Sequence, residues 1–176
     1  MKISFDAFSA SSIDEAIKKL EAYGNTLDGK AQELSKMLAD LGYEAAFQIM
    51  GEHVYTGETI SSLQVQEIDP NHYLLLAGST ALLFFEFGAG VIGGGHPKAD
   101  EMGMGPGTYP GQTHAFDPNG WWFPTDDQNL IIRTDKNGQG WGHSRGNQPY
   151  MPFYNASQQI RADLLKCAQE VFHTDD

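Results

Sequence analysis

The 176-residue chain predicts an α+β fold: long N-terminal helices and a C-terminal helix packed on a small antiparallel β-sheet, with a long Gly/Trp-rich insertion containing a β-hairpin. Three observations predict it. Apolar residues recur at intervals of three and four before residue 50 and again after residue 152. Between them, two strand-like runs flank the turn sequence Asp69-Pro70-Asn71. From Gly88 to Pro149 the composition changes, and this third of the chain holds 14 of the 20 glycines, 6 of the 8 prolines and all three tryptophans. The organisation read from this is one domain over 1–176, with 88–149 as an extended arm within it.

Ser12-Ile13-Asp14-Glu15 matches a capping box and opens the first helix, in which Ile13, Ala16, Ile17 and Leu20 share a face. Gly24 is a stop signal, and Asn25-Thr26 is a second start. Leu27, Ala31, Leu34, Leu38, Leu41, Ala45 and Ile49 then form one stripe. That pattern predicts a helix of about 24 residues, some 36 Å long, laid across a sheet. A coiled-coil partner is the minor alternative, because sustained charge pairing beside the stripe is lacking.

His53-Val54-Tyr55-Thr56-Gly57 reads as a connection. Ile60 to Ile68 alternates as a half-buried strand. Tyr73 to Ala77 is the return strand, and its continuous apolar run predicts burial on both faces. Gly78-Ser79-Thr80 breaks the hairpin. Thr80 is placed to cap a short helix over Ala81–Phe87, and a third strand is the competing assignment there.

Within that stretch, Phe84-Phe85-Glu86-Phe87-Gly88 sets one carboxylate among large apolar side chains. A buried glutamate must be paired, hydrogen-bonded or protonated, so Glu86 is either a structural pin or part of a site. Beyond it, the runs Gly93-Gly94-Gly95 and Gly103 to Gly107 predict mobility unless a partner orders them. Trp121-Trp122-Phe123 and Leu130-Ile131-Ile132-Arg133 read as the two strands of a hairpin. After Pro149, the residues Phe153, Ala156, Ile160, Leu164, Cys167 and Val171 make one helical stripe.

The formal charge of −12 excludes gripping nucleic acid by phosphate neutralisation. A like-charged surface can still surround nucleic acid without holding it. The single Cys167 lies on an apolar stripe, which excludes an internal disulfide framework and reads as a packed thiol. No secretory h-region opens the chain, so export by a signal peptide is not expected. Residues 73–92 imitate a membrane span, but they contain Glu86 and three glycines, and no membrane association is expected.

Three kinds of chemistry compete for the insertion. His96, His114 and His143, with Asp117 or Asp135, would supply a metal-dependent hydrolase, although their spacing matches no local ligand rule. Gly142-His143-Ser144-Arg145-Gly146 lacks the frame of a nucleophile elbow, and the glycine runs lack the Lys-Ser/Thr of a phosphate loop. Trp121, Trp122 and Trp141 would serve as a carbohydrate platform, as anchors tying the insertion to the body, or as a protein–protein contact with Arg133 and Arg145.

Three separated segments then coincide: Thr56-Gly57-Glu58-Thr59-Ile60-Ser61-Ser62-Leu63, Phe84-Phe85-Glu86-Phe87-Gly88, and Met151-Pro152-Phe153-Tyr154-Asn155-Ala156. Their order resembles the gene-product-ten-like tail-component family of long-tailed phages, the morphogenesis proteins that complete the tail or join it to the head. That family carries T-G-x-L-x-x-S-I, Y-A-x-F-V-E-F-G-T and x-P-F-x-x-x-A in this order. Glu58, Thr59, Leu83 and Ala89 depart from the pattern. Gly107-Thr108-Tyr109 and Gly120-Trp121-Trp122 resemble the version found in phages and prophages of Gram-positive bacteria.

The resemblance implies a non-enzymatic virion protein of the neck or tail, assembled in the host cytoplasm, with no cofactor. Its partners would be further copies in a ring, six by analogy, and neighbouring neck, tail-tube or tail-terminator proteins, with DNA passing unread. Thr56, Gly57, Ser61, Phe84, Glu86, Phe87, Gly88 and Pro152 are the positions that match the family motifs.

Overall fold

The computed structural model describes residues 3–6, 8–53, 57–79 and 81–173. It is an α+β fold with a long N-terminal helix, a C-terminal helix and small antiparallel sheets.

Helix α1 runs unbroken from Ala10 to His53, 44 residues, which is about 66 Å of helix. The division expected at Gly24 is absent. A glycine inside a helix costs about 1 kcal/mol relative to alanine, but it ends the helix only where the backbone turns left-handed. Neither Gly24 nor Gly29 has a positive φ. Thr26, read as a second start, instead donates its hydroxyl to the Ala22 carbonyl at 3.0 Å, a bond made inside a continuing helix. The cap also shifts by three residues. Ser9 Oγ accepts the Ser12 N–H at 3.3 Å, and Ser12 Oγ accepts the Asp6 N–H at 2.9 Å.

Helix α5, Pro152–Phe172, lies antiparallel against the C-terminal half of α1. The closest approach is at Gly42, where a Cβ would come within 2.8 Å of Ile160 Cδ1. Where α5 covers it, the buried line of α1 is therefore Gly42, Ala46 and Met50, one position along from the expected stripe of larger residues; Ala16 is buried nearer the start of the helix. Small side chains on that line let α5 in, and the bulkier Leu38 and Leu41 are left half-buried.

Helix α2, Gly57–Ser61, takes Ile60 and Ser61 out of the expected strand. Strand β1, Gln64–Asp69, pairs with β2, His72–Leu76, in register Gln64↔Leu76 to Glu67↔Tyr73, with an irregularity between Glu67 and Asp69. The hairpin packs on α1. Its expected burial on both faces is not found, since Leu74 is 47% exposed. A two-stranded sheet resting on a helix has only one covered face. The core gathers Ala46, Met50, Leu63 and Ala156, ringed by Tyr43, Ile60, Leu75 and Phe153.

Residues 82–87 form helix α3, Leu82–Phe87, rather than a strand. Its N-cap is Ala81, with no side-chain cap bond. Thr80, the expected cap, and Thr56 of the first motif lie outside the described residues.

The insertion is closed at its base by strand β3, Ala89–Gly90, paired antiparallel with β7, Gly146–Asn147. Between them come the short helix α4, Ala99–Met102, and strands β4, Trp121–Pro124, β5, Arg133–Thr134, and β6, Gly140–Ser144. The strand order is β4-β6-β5. The expected hairpin of 121–123 with 130–133 does not form, because both segments pair with β6. Strand β6 was hidden by its glycines. Those glycines are where neighbours cross it: a Cβ on Gly142 would sit 2.5 Å from the Phe123 ring, and one on Gly140 2.5 Å from Ile131 Cδ1.

Among the described residues no helix is long and apolar enough to cross a membrane. Residues 73–92 are divided among β2, a connection, α3 and β3.

Candidate functional site

Two features stand out at the junction of body and insertion. The first is the seat of Glu86. Helix α5 begins without a capping side chain of its own: its N-cap, Met151, is left-handed at φ 59° and makes no side-chain bond. Pro152 follows at the first helical position, where a missing N–H does no harm. The next two N–H groups point at Glu86. Phe153 N donates to Oε2 at 2.9 Å and Tyr154 N donates to Oε1 at 2.9 Å. A carboxylate there also meets the positive end of the helix dipole.

The backbone completes the tie. The Phe85 carbonyl accepts from Tyr150 N at 2.8 Å and from Met151 N at 3.3 Å. Successive residues of α3 thus bind four N–H groups around the start of α5.

His96 is the third donor to Glu86. Its Nε2 lies 3.1 Å from Glu86 Oε1, and both side chains are buried. Its Nδ1 accepts the Lys98 N–H at 3.1 Å, so the ring carries its proton on Nε2, toward the carboxylate. The ring also packs on Phe87 at 4.6 Å and edge-on to Tyr154 at 5.3 Å. Both ring nitrogens are engaged, and no lone pair is left for a metal.

Around this seat the insertion is fastened by aromatics. Phe85 and Phe87 are buried; Phe84 is half-buried and packs edge-on to Tyr109 at 5.5 Å, on the insertion rather than on the helices. The Tyr109 hydroxyl donates to the Gly88 carbonyl, and burial pushes its pKa up. Gly88 takes φ 81°, and a Cβ there would sit 2.9 Å from the Asn147 carbonyl oxygen and from Pro149 N. His53, the last residue of α1, stacks on Tyr150 at 4.0 Å and 12°.

The second feature is one face of the β4-β6-β5 sheet. Strand alternation and register put Trp122, Trp141, His143 and Arg133 on the same side. The Arg133 guanidinium lies 4.0 Å from the centroid of Trp122 and 5.8 Å from that of Trp141. His143 packs on Trp122 at 4.8 Å, and Trp122 remains 41% exposed. Trp141 Nε1 donates to Asp135 Oδ2 at 3.4 Å. Asp135 in turn accepts from Gln139 N at 3.0 Å and Asn137 N at 2.8 Å, which hold its pKa below the ordinary carboxylate value.

Trp121 points to the opposite face and stacks on His114 at 5.6 Å and 14°. Arg145 is exposed beside Gly120, away from the tryptophan pair. Of the five expected interface residues, three therefore meet on one surface. The histidines do not converge: His114 and His143 lie on opposite faces of the sheet, and His96 is committed to Glu86. Among the described residues no group of three or more His, Cys, Asp or Glu side chains could hold a metal ion.

Sequence reasoning missed His96 as the partner of Glu86, Tyr109 and Tyr150 as fasteners, and Thr59. Thr59 is buried, and its Oγ1 lies 2.8 Å from Ser79 Oγ. A buried carboxylate needs a donor, but that need did not single out His96. No protein-family model, no curated protein and no solved structure matches the chain.

Proposed function

We propose that this chain is a structural morphogenesis protein of the head–tail connector, neck or tail completion of a long-tailed phage. It acts by ring assembly and protein–protein contacts, without catalysis or cofactor. One observation carries the reading: the three motif segments occur in the order of the tail-component family, and the second and third are bonded to each other. Glu86 of the second holds the Phe153 and Tyr154 N–H groups of the third. A motif glutamate tied to a motif helix start gives both segments a shared structural reason.

In this reading the virion is the site of action. The partners are further copies in a ring, six by analogy with the family, and adjoining neck, tail-tube or tail-terminator proteins. DNA passes without being read, in keeping with the charge of −12. The Trp122–Arg133–Trp141 face is the docking patch of the insertion, since Trp and Arg dominate contact energetics. A carbohydrate platform is the weaker reading, because Arg133 already covers the two rings on which a sugar would stack.

Particle assembly tests the proposal. Without this protein, heads and tails accumulate unjoined, and supplying it restores joined particles. The Trp122→Ala/Arg133→Ala double variant folds but lowers the yield of joined particles at least tenfold, a factor that corresponds to about 1.4 kcal/mol of contact. Infectious particles forming at normal yield in its absence would sink the reading.

A further inference from the structure

Asparagine stands before glycine at two places in the chain, Asn119-Gly120 and Asn137-Gly138. Both pairs close a turn of the same construction, Asp-x-Asn-Gly. In Asp117-Pro118-Asn119-Gly120, Asp117 Oδ1 accepts the Asn119 N–H at 3.0 Å and the Asp117 carbonyl accepts the Gly120 N–H at 3.0 Å. In Asp135-Lys136-Asn137-Gly138 the corresponding bonds measure 2.8 and 3.1 Å. Both glycines are left-handed, at φ 74° and 84°, and both asparagines are exposed. Motif, local hydrogen bonding and solvent access therefore do not separate the two turns.

What surrounds the glycines does. Gly120 is buried, and a Cβ on it would run into the Ser144 carbonyl and meet Arg145 Cγ at 3.0 Å. It leads directly into β4, whose Trp121 pairs with Ser144. Pro118 also fixes φ one residue before Asn119. Around the other turn, residues 132–138 are all exposed, and a Cβ on Gly138 would meet nothing within 4 Å.

We propose that Asn137 is a site of spontaneous deamidation and isomerisation, and that the fold protects Asn119 from the same reaction. Solvent base removes the Gly138 N–H proton, and the main-chain nitrogen attacks Asn137 Cγ. The new C–N bond closes a five-membered succinimide. The bond from Cγ to the side-chain nitrogen breaks, and that nitrogen leaves as ammonia with a proton taken from water. Water then opens the ring at either carbonyl, giving aspartate or isoaspartate. Glycine makes the step accessible, because no Cβ shields the attacking nitrogen or restricts its rotation. Ring closure removes the Gly138 bond to the Asp135 carbonyl and turns the glycine, and at 138 that movement meets only solvent. At 120 it would drive backbone against the Ser144 carbonyl and disturb the β4–β6 ladder. Either product adds a carboxylate to the turn of Asp135, which accepts the Asn137 and Gln139 N–H groups and Trp141 Nε1. The reaction is independent of the assembly proposed above.

Peptide mapping by mass spectrometry tests it, on full-length protein held for several weeks at mildly alkaline pH and physiological temperature. The peptide carrying Asn137 is expected to gain the mass of one deamidation at least about tenfold faster than the peptide carrying Asn119, a factor equal to about 1.4 kcal/mol of barrier. Labelling by isoaspartyl methyltransferase identifies the isomerised product. In concentrated urea both turns are lost, and the two Asn-Gly pairs should convert at similar rates. Asn137→Gln, with the fold verified by far-UV circular dichroism, should remove the fast site and leave the slow rate at Asn119 unchanged. Equal rates in the folded protein, a faster Asn119, or an Asn137 that converts in urea but not in the fold overturns the proposal. A gap that persists in urea would place its cause in the local sequence, Pro118 against Lys136, and overturn the protection by the fold.

Discussion

Glu86 is a carboxylate whose neighbours are all donors: two backbone N–H groups of α5 and the His96 ring. Glu86→Gln keeps the shape but turns an amide NH₂ toward groups that are themselves donors. The expected cost is about 1–3 kcal/mol, read as a lower midpoint in urea, because a buried donor is left unsatisfied. Glu86→Ala should cost at least as much, since it strips both N–H groups and leaves His96 without its acceptor. A Gln variant as stable as wild type would mean that the ionised form has no task there. Met151 adds a second residue-level expectation. It holds φ 59° without glycine, so Met151→Gly should stabilise by up to about 1 kcal/mol through relief of left-handed strain, checked by the same unfolding curve.

Within α1, two glycines have opposite roles. Gly24 has open space around it, and Gly42 lies under Ile160. Gly24→Ala should raise stability by roughly 0.4–1 kcal/mol through helix propensity and a less flexible unfolded chain. Gly42→Ala gains the same propensity but forces the Ile160 side chain aside, at about 1–3 kcal/mol for overpacking. Thermal melts should therefore move in opposite directions, and Ile160→Val should recover part of the Gly42→Ala loss. The β5–β6 turn gives an element-level pH dependence. Backbone N–H groups of Gln139 and Asn137 lower the Asp135 pKa below its ordinary value of 3.8. A depressed carboxylate stabilises above its unfolded pKa, and that contribution disappears as pH falls through the folded one. Amide exchange at Asn137 and Gln139, corrected for intrinsic rates, should lose protection on acidification below pH 3.8, and Asp135→Asn should abolish that dependence.

Across the whole molecule, the insertion and the helical body are joined at several points: His96 on Glu86, Tyr109 on Phe84 and Phe87, and the Asn147 side-chain amide, which donates to the Phe84 carbonyl. The two parts should unfold in one transition. Near-UV circular dichroism, which reports the insertion's tryptophans, should coincide with the far-UV signal of the helices. Two separate midpoints would mean that the insertion is an independent unit. Assembly belongs to the same scale, since Trp122 and Arg133 of the sheet face are exposed on the single chain.

The sequence by itself determined the α+β class, the β1–β2 hairpin and the helix after Pro152, because these rest on local periodicity and turn chemistry. It also marked Glu86 as a group that had to be satisfied, and it singled out the tryptophans and Arg133 without saying which of them share a face. Tertiary structure decided the rest. Gly24 was allowed inside α1 because its φ stayed helical, and Gly42 became the contact point because Ile160 came from 118 residues away in the sequence. Strand β6 formed through Gly140 and Gly142 because Ile131 and Phe123 supply the side chains those positions lack. His96 found Glu86 across a chain reversal. Apart from Gly24, which meets nothing within 4 Å, each of these outcomes depends on a partner elsewhere along the chain, and periodicity within a window carries no record of it.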